Sequence, residues 1–438
     1  MVNPADRLSW AKFLAERKQT DVQYFACPGA TRTVMVCSHI WWTEQIGLAI
    51  RNAGFNVVMH PPLYTFYTDP VAAGQFDHLW IMTLENMRYA KVDYLLGGNT
   101  SAMLVNPKTG ELLHEAARQR GQKIILINWW WDEPRSKPPL AQAGVGPADF
   151  ARLLGNEHTL NAIWDIDVKE ELEALLGLKN MMHLPLATLP EFWPHGFVSL
   201  EDRPLAACFL GNCHFAAEWI ETDADPLFAW AREIVKRKIA APERPMQTIM
   251  DEVTARTGRV PTSFAADSDP WHVFSGAIEV LNGAYMHYTR NLLVKAAREK
   301  LQGKLALIGK GWDMLGLRAN AEHATNKSGV IYGQSHMSLN LFGGCVHGGM
   351  PLRPYDIGVS GGLIVTHDQR ELPALFEPGK ECLAFRAKEE MWEIMDRVQK
   401  APAEFNKVAL AGRKRVLAEH TWDHRIETLM KQLEARSS

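Results

Sequence analysis

Long apolar runs, paired cysteines, an excess of charge of either sign and low-complexity sequence are all missing from this chain. No stretch approaches the roughly 20 uninterrupted apolar residues that a membrane-spanning helix needs. The N-terminal MVNPADRLSWAKF lacks the basic start and apolar core of a signal peptide, so the cytoplasm is the expected location. Basic residues number 47 against 50 acidic ones, a formal charge of −3, which supplies no global field for drawing in nucleic acid or an anionic membrane. The six cysteines, Cys27, Cys37, Cys208, Cys213, Cys345 and Cys382, sit beside strand-like apolar runs and not in CxxC pairs, which suits buried free thiols. Cys208, Cys213 and His214 nominally resemble zinc ligands, but no second pair completes a site, and no metal is expected.

What is present is material for large cores. At 438 residues, with 47% hydrophobic and 22% charged residues, the chain exceeds what one core usually serves, and two domains of about 200 residues each are expected. Thr31 to Ser38 reads as a strand, Thr43 to Ala53 as a helix stopped by Gly54, and Asn56 to His60 as a second strand. Further strands are predicted at His78 to Thr83 and Lys123 to Asn128, the latter preceded by a helix over Leu112 to Arg120. Short apolar strands alternating with helices predict an open parallel sheet covered on both faces.

The pattern breaks at MMHLPLATLPEFW into a proline-punctuated segment, and a new strand starts at Ala206 to Gly211. This puts the domain boundary near Pro194 to Arg203, with residues 1–198 before it and 199–415 after it. Strands are then predicted at Leu305 to Ile308, Val330 to Tyr332, Ser338 to Leu341 and Gly362 to Thr366. The long connection from Phe215 to Lys300 must itself be folded, and it reads as a helical insertion. Pro402 to Leu433 reads as an amphipathic helical segment broken near His420 to Trp422, and residues 416–438 are expected to pack back on the N-terminal domain.

In open α/β sheets ligands sit at the carboxyl ends of strands, which directs attention to the loops there. In the second half these are Gly211-Asn212, Gly309-Lys310-Gly311 and HGGMPLRPYD. In the last, Gly348 and Gly349 allow close approach to an anion, Pro351 and Pro354 stiffen the loop, and Arg353 offers a planar fork for phosphate oxygens. Asp356, in the first turn of the next helix, is an acceptor suited to ribose hydroxyls or, equally, a complement to the helix dipole.

The stretch SLNLFGGCVHGGMPLRPYDIGVSGGLIVTHDQRELPALFEPGKECLAF resembles the donor-binding region of GT-B glycosyltransferases, especially the spore-maturation CgeB-like group. The shared marks are the SxxxLN segment, R-x-[FY]-[DE], a glycine pair, a strand ending in Thr, and LFEPGKE. AGRKRVLAEHTWDHRIETLM is similar to the family's closing helices, with its H-T-aromatic-x-x-R signature. The likeness is strong over roughly the last hundred residues and weaker but colinear upstream. It implies a GT-B fold of two Rossmann-like doubly wound domains facing across a cleft, with a nucleotide-diphosphate sugar, foremost a UDP-sugar, as donor substrate and no cofactor. It further implies that Asp356 holds the ribose, that the loop from His347 through Gly348 and Gly349 to Arg353, with Gly361 and Gly362 nearby, binds the diphosphate, and that Lys310 lies near the leaving group or base. Two departures stand out. Gly348 occupies the position of the first glutamate in the two-glutamate pattern of many retaining transferases, and Gly211-Asn212-Cys213-His214 stands where a basic residue often follows the first strand of the second domain.

Glycosyl transfer requires stabilisation of a departing nucleotide diphosphate, which without a metal falls to backbone N–H groups, Arg353 and Lys310. DxD triplets occur at Asp165 to Asp167, Asp223 to Asp225 and Asp267 to Asp269, but none follows a clear predicted strand. An inverting reaction also needs a base. His39, just beyond the first strand with Trp41, Trp42 and Glu44 alongside, is the first candidate, and Asp132 with Glu133 the second; a structural histidine or solvated carboxylates are the competing reading. Trp41, Trp42, Trp129, Trp130 and Trp131 serve either as an acceptor platform or as core. The acceptor is left open among glycan, protein, small molecule and modified nucleic-acid base. A non-catalytic nucleotide-sugar-binding protein and a nucleotide-sugar epimerase of the same fold are the alternatives.

Overall fold

The computed structural model describes residues 4–17, 22–37, 41–61, 74–99, 106, 108–131, 152, 154–193, 196–214, 220–222, 226–258, 270–323, 327–344 and 346–437. The chain forms two compact units, one of Met1–Trp164, Leu172–Pro185 and Trp422–Ser438, the other of Asp165–Glu171 and Leu186–Thr421. The second entry into the latter unit, at Pro185/Leu186, falls earlier than the 198/199 boundary read from the sequence. The reason is local: Thr188 and Trp193 in the proline-punctuated segment bond into the second unit.

The first unit carries strands β1 (Gln23–Phe25), β2 (Thr33–Cys37), β3 (Asn56–His60), β4 (Val92–Gly98), β5 (Ile125–Trp130), β6 (Thr159–Ile163) and β7 (Met181–His183). They form one sheet in the order β1-β3-β2-β4-β5-β6-β7, in which only the β1–β3 pair is antiparallel. The second unit carries β8 (Leu205–Leu210), β9 (Leu305–Ile308), β10 (Ser335–Asn340), β11 (Ile364–His367) and β12 (Leu383–Phe385), all parallel, in the order β12-β11-β10-β8-β9. The inner strands are almost wholly buried runs such as TVMVC, as sheets covered on both faces require. The expected α/β class with two Rossmann-like sheets holds, and so does the helical insertion, seen as helices Pro226–Ala240, Met246–Thr257, Pro270–Met286 and Leu292–Lys300.

Two predicted strands are helices. His78 to Thr83 lies inside helix Phe76–Tyr89, whose buried residues Phe76, Trp80, Thr83, Leu84 and Met87 follow the helical period and not an alternation of two. Val330 to Tyr332 lies in the short helix Ser328–Gly333, where a brief apolar run carries no decisive period. The five described cysteines, Cys27, Cys37, Cys208, Cys213 and Cys382, are free and buried. No helix among the described residues is long and apolar enough to cross a membrane.

The tryptophan run after Asn128 is core. Trp129 and Trp130 are fully buried and Trp131 nearly so, which withdraws them as an exposed acceptor platform. Trp129 meets Trp422 edge-on, with ring centroids 5.5 Å apart, and the Trp422 indole donates to Gln45 Oε1 at 2.9 Å. The last helix, Trp422–Ser437, is thereby fixed into the first unit, while residues 416–419 belong to the preceding helix Asn406–Glu419 in the second. Trp422→Ala is expected to cost about 3–5 kcal/mol, the usual range for deleting a buried indole. Denaturant unfolding followed by circular dichroism measures it, and a loss below about 1 kcal/mol would refute the anchoring role.

Candidate functional site

The strand order gives each sheet one switch point. In the second unit the chain leaves β8 toward β9 on one side and later leaves β10 toward β11 on the other. The crevice between the carboxyl ends of β8 and β10 is therefore where an open sheet of this kind takes a ligand. The corresponding point of the first unit lies between β2 and β4. His39 and Asp132, with Glu133, follow strands of that sheet but lie outside the described residues.

Arg353 occupies the switch point of the second unit. Its Nε donates to the Leu210 carbonyl at the end of β8 at 2.9 Å, and its Nη1 donates to the Leu341 carbonyl (3.0 Å) and Asn340 Oδ1 (3.2 Å) at the end of β10. The guanidinium lies 5.0 Å from the Phe209 ring centre, a cation–π contact. Burial pulls its pKa below the ordinary arginine value, offset in part by Tyr332 and Asp356. The fork read as a free phosphate binder is thus largely spent on strand-end carbonyls, and Arg353 brings its charge to the crevice while bracing it.

Around it the strand-end loops approach closely. Gly211 N–H donates to the Ile308 carbonyl at 2.8 Å, and the Asn212 side-chain oxygen accepts from Lys310 N–H at 2.9 Å. Gly309 has φ +143°, and a Cβ there would stand 2.1 Å from the Gly211 carbonyl oxygen, so only glycine fits. The Lys310 ammonium is exposed, 3.8 Å from Glu322. Gly211, Asn212, Lys310 and Arg353 are therefore brought together.

The rest of the glycine-rich loop is arranged differently from its sequence reading. The N–H groups of His347 and Gly348 donate to the Asp165 carboxylate at 2.8 and 3.1 Å, and that of Gly349 also bonds to it. These amides, read as a diphosphate cradle, already hold a carboxylate. Asp165 comes directly after β6 and Trp164, so its DxD triplet does follow a strand, one missed because TLNAI carries an asparagine at its centre. Asp165 also accepts the Asp167 and Val168 N–H groups and so caps helix Ile166–Leu176. Burial, then Asp167, push its carboxyl up, against the pull of His347 and the loop N–H groups. Asp167 pairs with Lys238 Nζ at 2.6 Å, both side chains fully buried, and with Arg370 at 2.5 Å. A Cβ on Gly348 would stand 2.5 Å from the Asp167 carboxyl carbon. The His347 ring is buried 3.5 Å from Glu171 and 3.3 Å from Asn282 Oδ1.

Asp356 is buried, and its Oδ1 accepts the Thr188 hydroxyl at 2.7 Å, while the Trp193 indole donates to the same hydroxyl oxygen at 2.9 Å. Burial raises its pKa to about 7, opposed by the bonds from Thr188 and Trp193 and by Arg353. Asp356 is thus a buried, bonded group and more than a complement to a helix dipole. Gly361 and Gly362 stand at the other end of the same helix. Gly361, at φ +75°, terminates helix Arg353–Val359, and both precede β11 at the amino edge of the sheet, away from the switch point. They are removed from the diphosphate set. Glu44 is also withdrawn as an open base: it is 1% exposed, 3.5 Å from Arg17, and burial lifts its carboxyl above the usual range.

Residues 290–431 match a family described as glycosyl transferase-like. That region runs from the end of the helical insertion through β9–β12 and into the last helix, and it contains Lys310, Arg353 and Asp356. No curated protein matches the chain. Among solved structures it is similar to a sucrose-phosphate synthase from Thermosynechococcus elongatus, at 11% identity and a TM-score of 0.49, covering 92% of this chain and 99% of that one. It is also similar to an α,α-trehalose-phosphate synthase (UDP-forming) from Burkholderia vietnamiensis, at 10% identity and a TM-score of 0.47, covering 92% and 100%. The Anabaena protein HepE, solved in complex with UDP, aligns at 8% identity and a TM-score of 0.46, covering 92% and 100%.

The sequence reading named Asp165 in a DxD triplet but set it aside, and it missed Asn282, Thr188 and Trp193. For the last two a signal existed, since both lie in the MHLPLATLPEFW segment that the resemblance singled out.

The raised pKa of Asp356 fixes the sign of a pH effect. The native state holds this proton more tightly than the unfolded chain, whose carboxyl titrates near 3.8. The group's contribution is therefore full below about pH 4 and is lost as pH rises to about 7. Asp356→Asn keeps an acceptor for Thr188 and removes the titration. Urea unfolding at pH 5 and pH 8 is expected to show wild type losing more stability over that interval than the variant; equal losses would contradict the assignment.

Proposed function

We propose that the chain is a glycosyltransferase that moves a sugar from a nucleoside-diphosphate sugar to an acceptor, with the donor's diphosphate in the crevice between β8 and β10. The observation that carries this reading is the convergence there of the half-buried Arg353 guanidinium, the exposed Lys310 ammonium and the close-packed Gly211 and Gly309 loops. Positive charge fixed at a switch point suits the group on which negative charge builds as the glycosidic bond to phosphate breaks. The glycosyl transferase-like match over residues 290–431 supports the reaction class. Within that class, RPYD, LFEPGKE and the His420-Thr421-Trp422 signature favour the spore-maturation CgeB-like group.

Asp356 is the candidate for the ribose, by exchanging its Thr188 bond for a donor hydroxyl. Charge stabilisation by Arg353 and Lys310 favours a reaction independent of metal. With Glu44 paired to Arg17, His39 and Asp132 remain the candidates for removing the acceptor's proton. UDP leads the nucleotides to be tried.

A thermal-shift titration of the purified protein against UDP, GDP, ADP, CMP and dTDP, with and without EDTA, tests the donor site. One diphosphate is expected to raise the melting temperature, the shift is expected to survive EDTA, and Asp356→Asn is expected to reduce it. A shift lost in EDTA would overturn metal independence, and no shift with any nucleotide would overturn the donor site.

A further inference from the structure

The glycine-rich loop begins with His347, whose side chain enters a cluster of buried ionisable groups. The ring is fully buried, and both of its nitrogens face oxygen. Nε2 lies 3.3 Å from Oδ1 of Asn282, on helix Pro270–Met286. Nδ1 lies 3.5 Å from Oε1 of Glu171, on helix Ile166–Leu176, and that side chain is buried as well. A neutral imidazole carries one N–H and one bare lone pair. With the N–H given to Asn282, the lone pair on Nδ1 faces a carboxylate away from solvent, which is unfavourable. One added proton, on Nδ1 or on Glu171, turns that opposition into an attraction. Two groups this close titrate as a pair and not as separate residues.

The neighbouring elements bring further ionisable groups. Asp165, which accepts the His347 N–H at 2.8 Å, adds a carboxylate, and His347 pulls that carboxyl down. The Tyr285 ring stands 6.4 Å from the imidazole, and burial pushes its hydroxyl far above the usual range, so it stays neutral. From the turn after β11, the buried Glu371 donates its N–H to the Gly348 carbonyl at 3.0 Å. Lys238 and Arg370 bond to Asp167, and Arg370 also to Glu170. Beside Glu171 stands the imidazole.

We propose that His347 and Glu171 form a proton-operated latch, which keeps the glycine-rich loop seated while the pair holds one shared proton and releases it when that proton is lost. The lever is short. His347, Gly348 and Gly349 give successive backbone N–H groups to Asp165, so a displaced ring disturbs those bonds directly. The latch rests on the geometry of the second unit and is independent of the donor-site reading. In an unfolded chain histidine titrates near about 6.5 and glutamate near about 4.3, so above about pH 7 the separated groups hold no proton where the seated pair holds one. Each pH unit above the pair's titration therefore disfavours the seated loop by up to about tenfold.

The test is amide hydrogen exchange of the full chain, read by mass spectrometry on peptides covering residues 346–353 from about pH 6 to about pH 9 and corrected for the intrinsic pH dependence of exchange. Asp356→Asn is run beside wild type, because Asp356 itself titrates up to about pH 7. Both proteins are expected to lose protection in the loop by about tenfold or more across this range, while helix Lys388–Lys400 keeps its own. Glu171→Gln gives Nδ1 a neutral partner and is expected to flatten the profile. Asn282→Asp places a second carboxylate on the ring and is expected to move the loss about one pH unit higher, a shift that mere loosening of the loop would not produce. A flat wild-type profile, as a neutral imidazole accepting from the Asn282 amide would give, overturns the latch. So does an unchanged fall in Glu171→Gln or an unmoved one in Asn282→Asp. If one variant fails to fold the other decides, and if neither folds the wild-type profile decides alone.

Discussion

Arg353 answers a problem that every parallel sheet creates at its switch point. The chains leaving β8 and β10 depart to opposite sides, so the carbonyls of Leu210 and Leu341 point into a buried space with no strand to pair them. An unpaired buried carbonyl is costly, and a single planar donor set reaching both satisfies them at once. Asn340 extends the arrangement, since its side-chain oxygen accepts from Arg353 and its nitrogen donates to Thr366 on the neighbouring strand at 3.0 Å. The cost is a cation held in a desolvated place, visible in its lowered pKa. That cost makes the crevice receptive to an anion, because the charge is fixed before any ligand arrives.

The loop preceding Arg353 is held by charges of the opposite sign. Asp165 accepts from successive N–H groups of the loop, and Asp167 lies against Gly348 so closely that no side chain fits between them. Two buried carboxylates two residues apart repel, and the arrangement depends on Lys238 and Arg370 to balance them. The Lys238 ammonium is fully committed, bonded to Asp167 and to the Pro242 and Arg244 carbonyls. Arg370 spans Asp167 and Glu170, which raises its pKa above the ordinary arginine value. The carboxylates thus set the path of the glycine-rich loop, and the path delivers Arg353 to the strand ends.

Strands whose apolar run was unbroken, such as TVMVC and LALI, were legible in the sequence nearly to the residue. TLNAI and MMH were not, because their outward signal is diluted by asparagine or by short length, and the helix Phe76–Tyr89 was misread because six residues are too few to separate one period from the other. The family-like motifs located the right region, yet several of their residues prove to act on the protein itself: His420 donates to the Leu375 carbonyl of LFEPGKE at 2.8 Å, and Arg353 braces strand ends. Motif residues that organise a site and those that touch a ligand look alike in one dimension. Arg290, which no local motif marks, reaches the Asn212 carbonyl from a π-turn that no residue pattern announces.

The position of the anion site follows from which donors are already taken. The N–H groups of His347, Gly348 and Gly349 face a carboxylate whose removal would leave several buried donors unpaired, so an incoming diphosphate gains little by displacing it. At the strand ends the balance is reversed. Arg353 is bonded there to the Leu210 and Leu341 carbonyls, neutral oxygens, and Lys310 is exposed at the rim. On the proposed reading, an anion entering the crevice meets a guanidinium already fixed by strand-end carbonyls, which favours the ends of β8 and β10 over the glycine pair as the seat of the diphosphate.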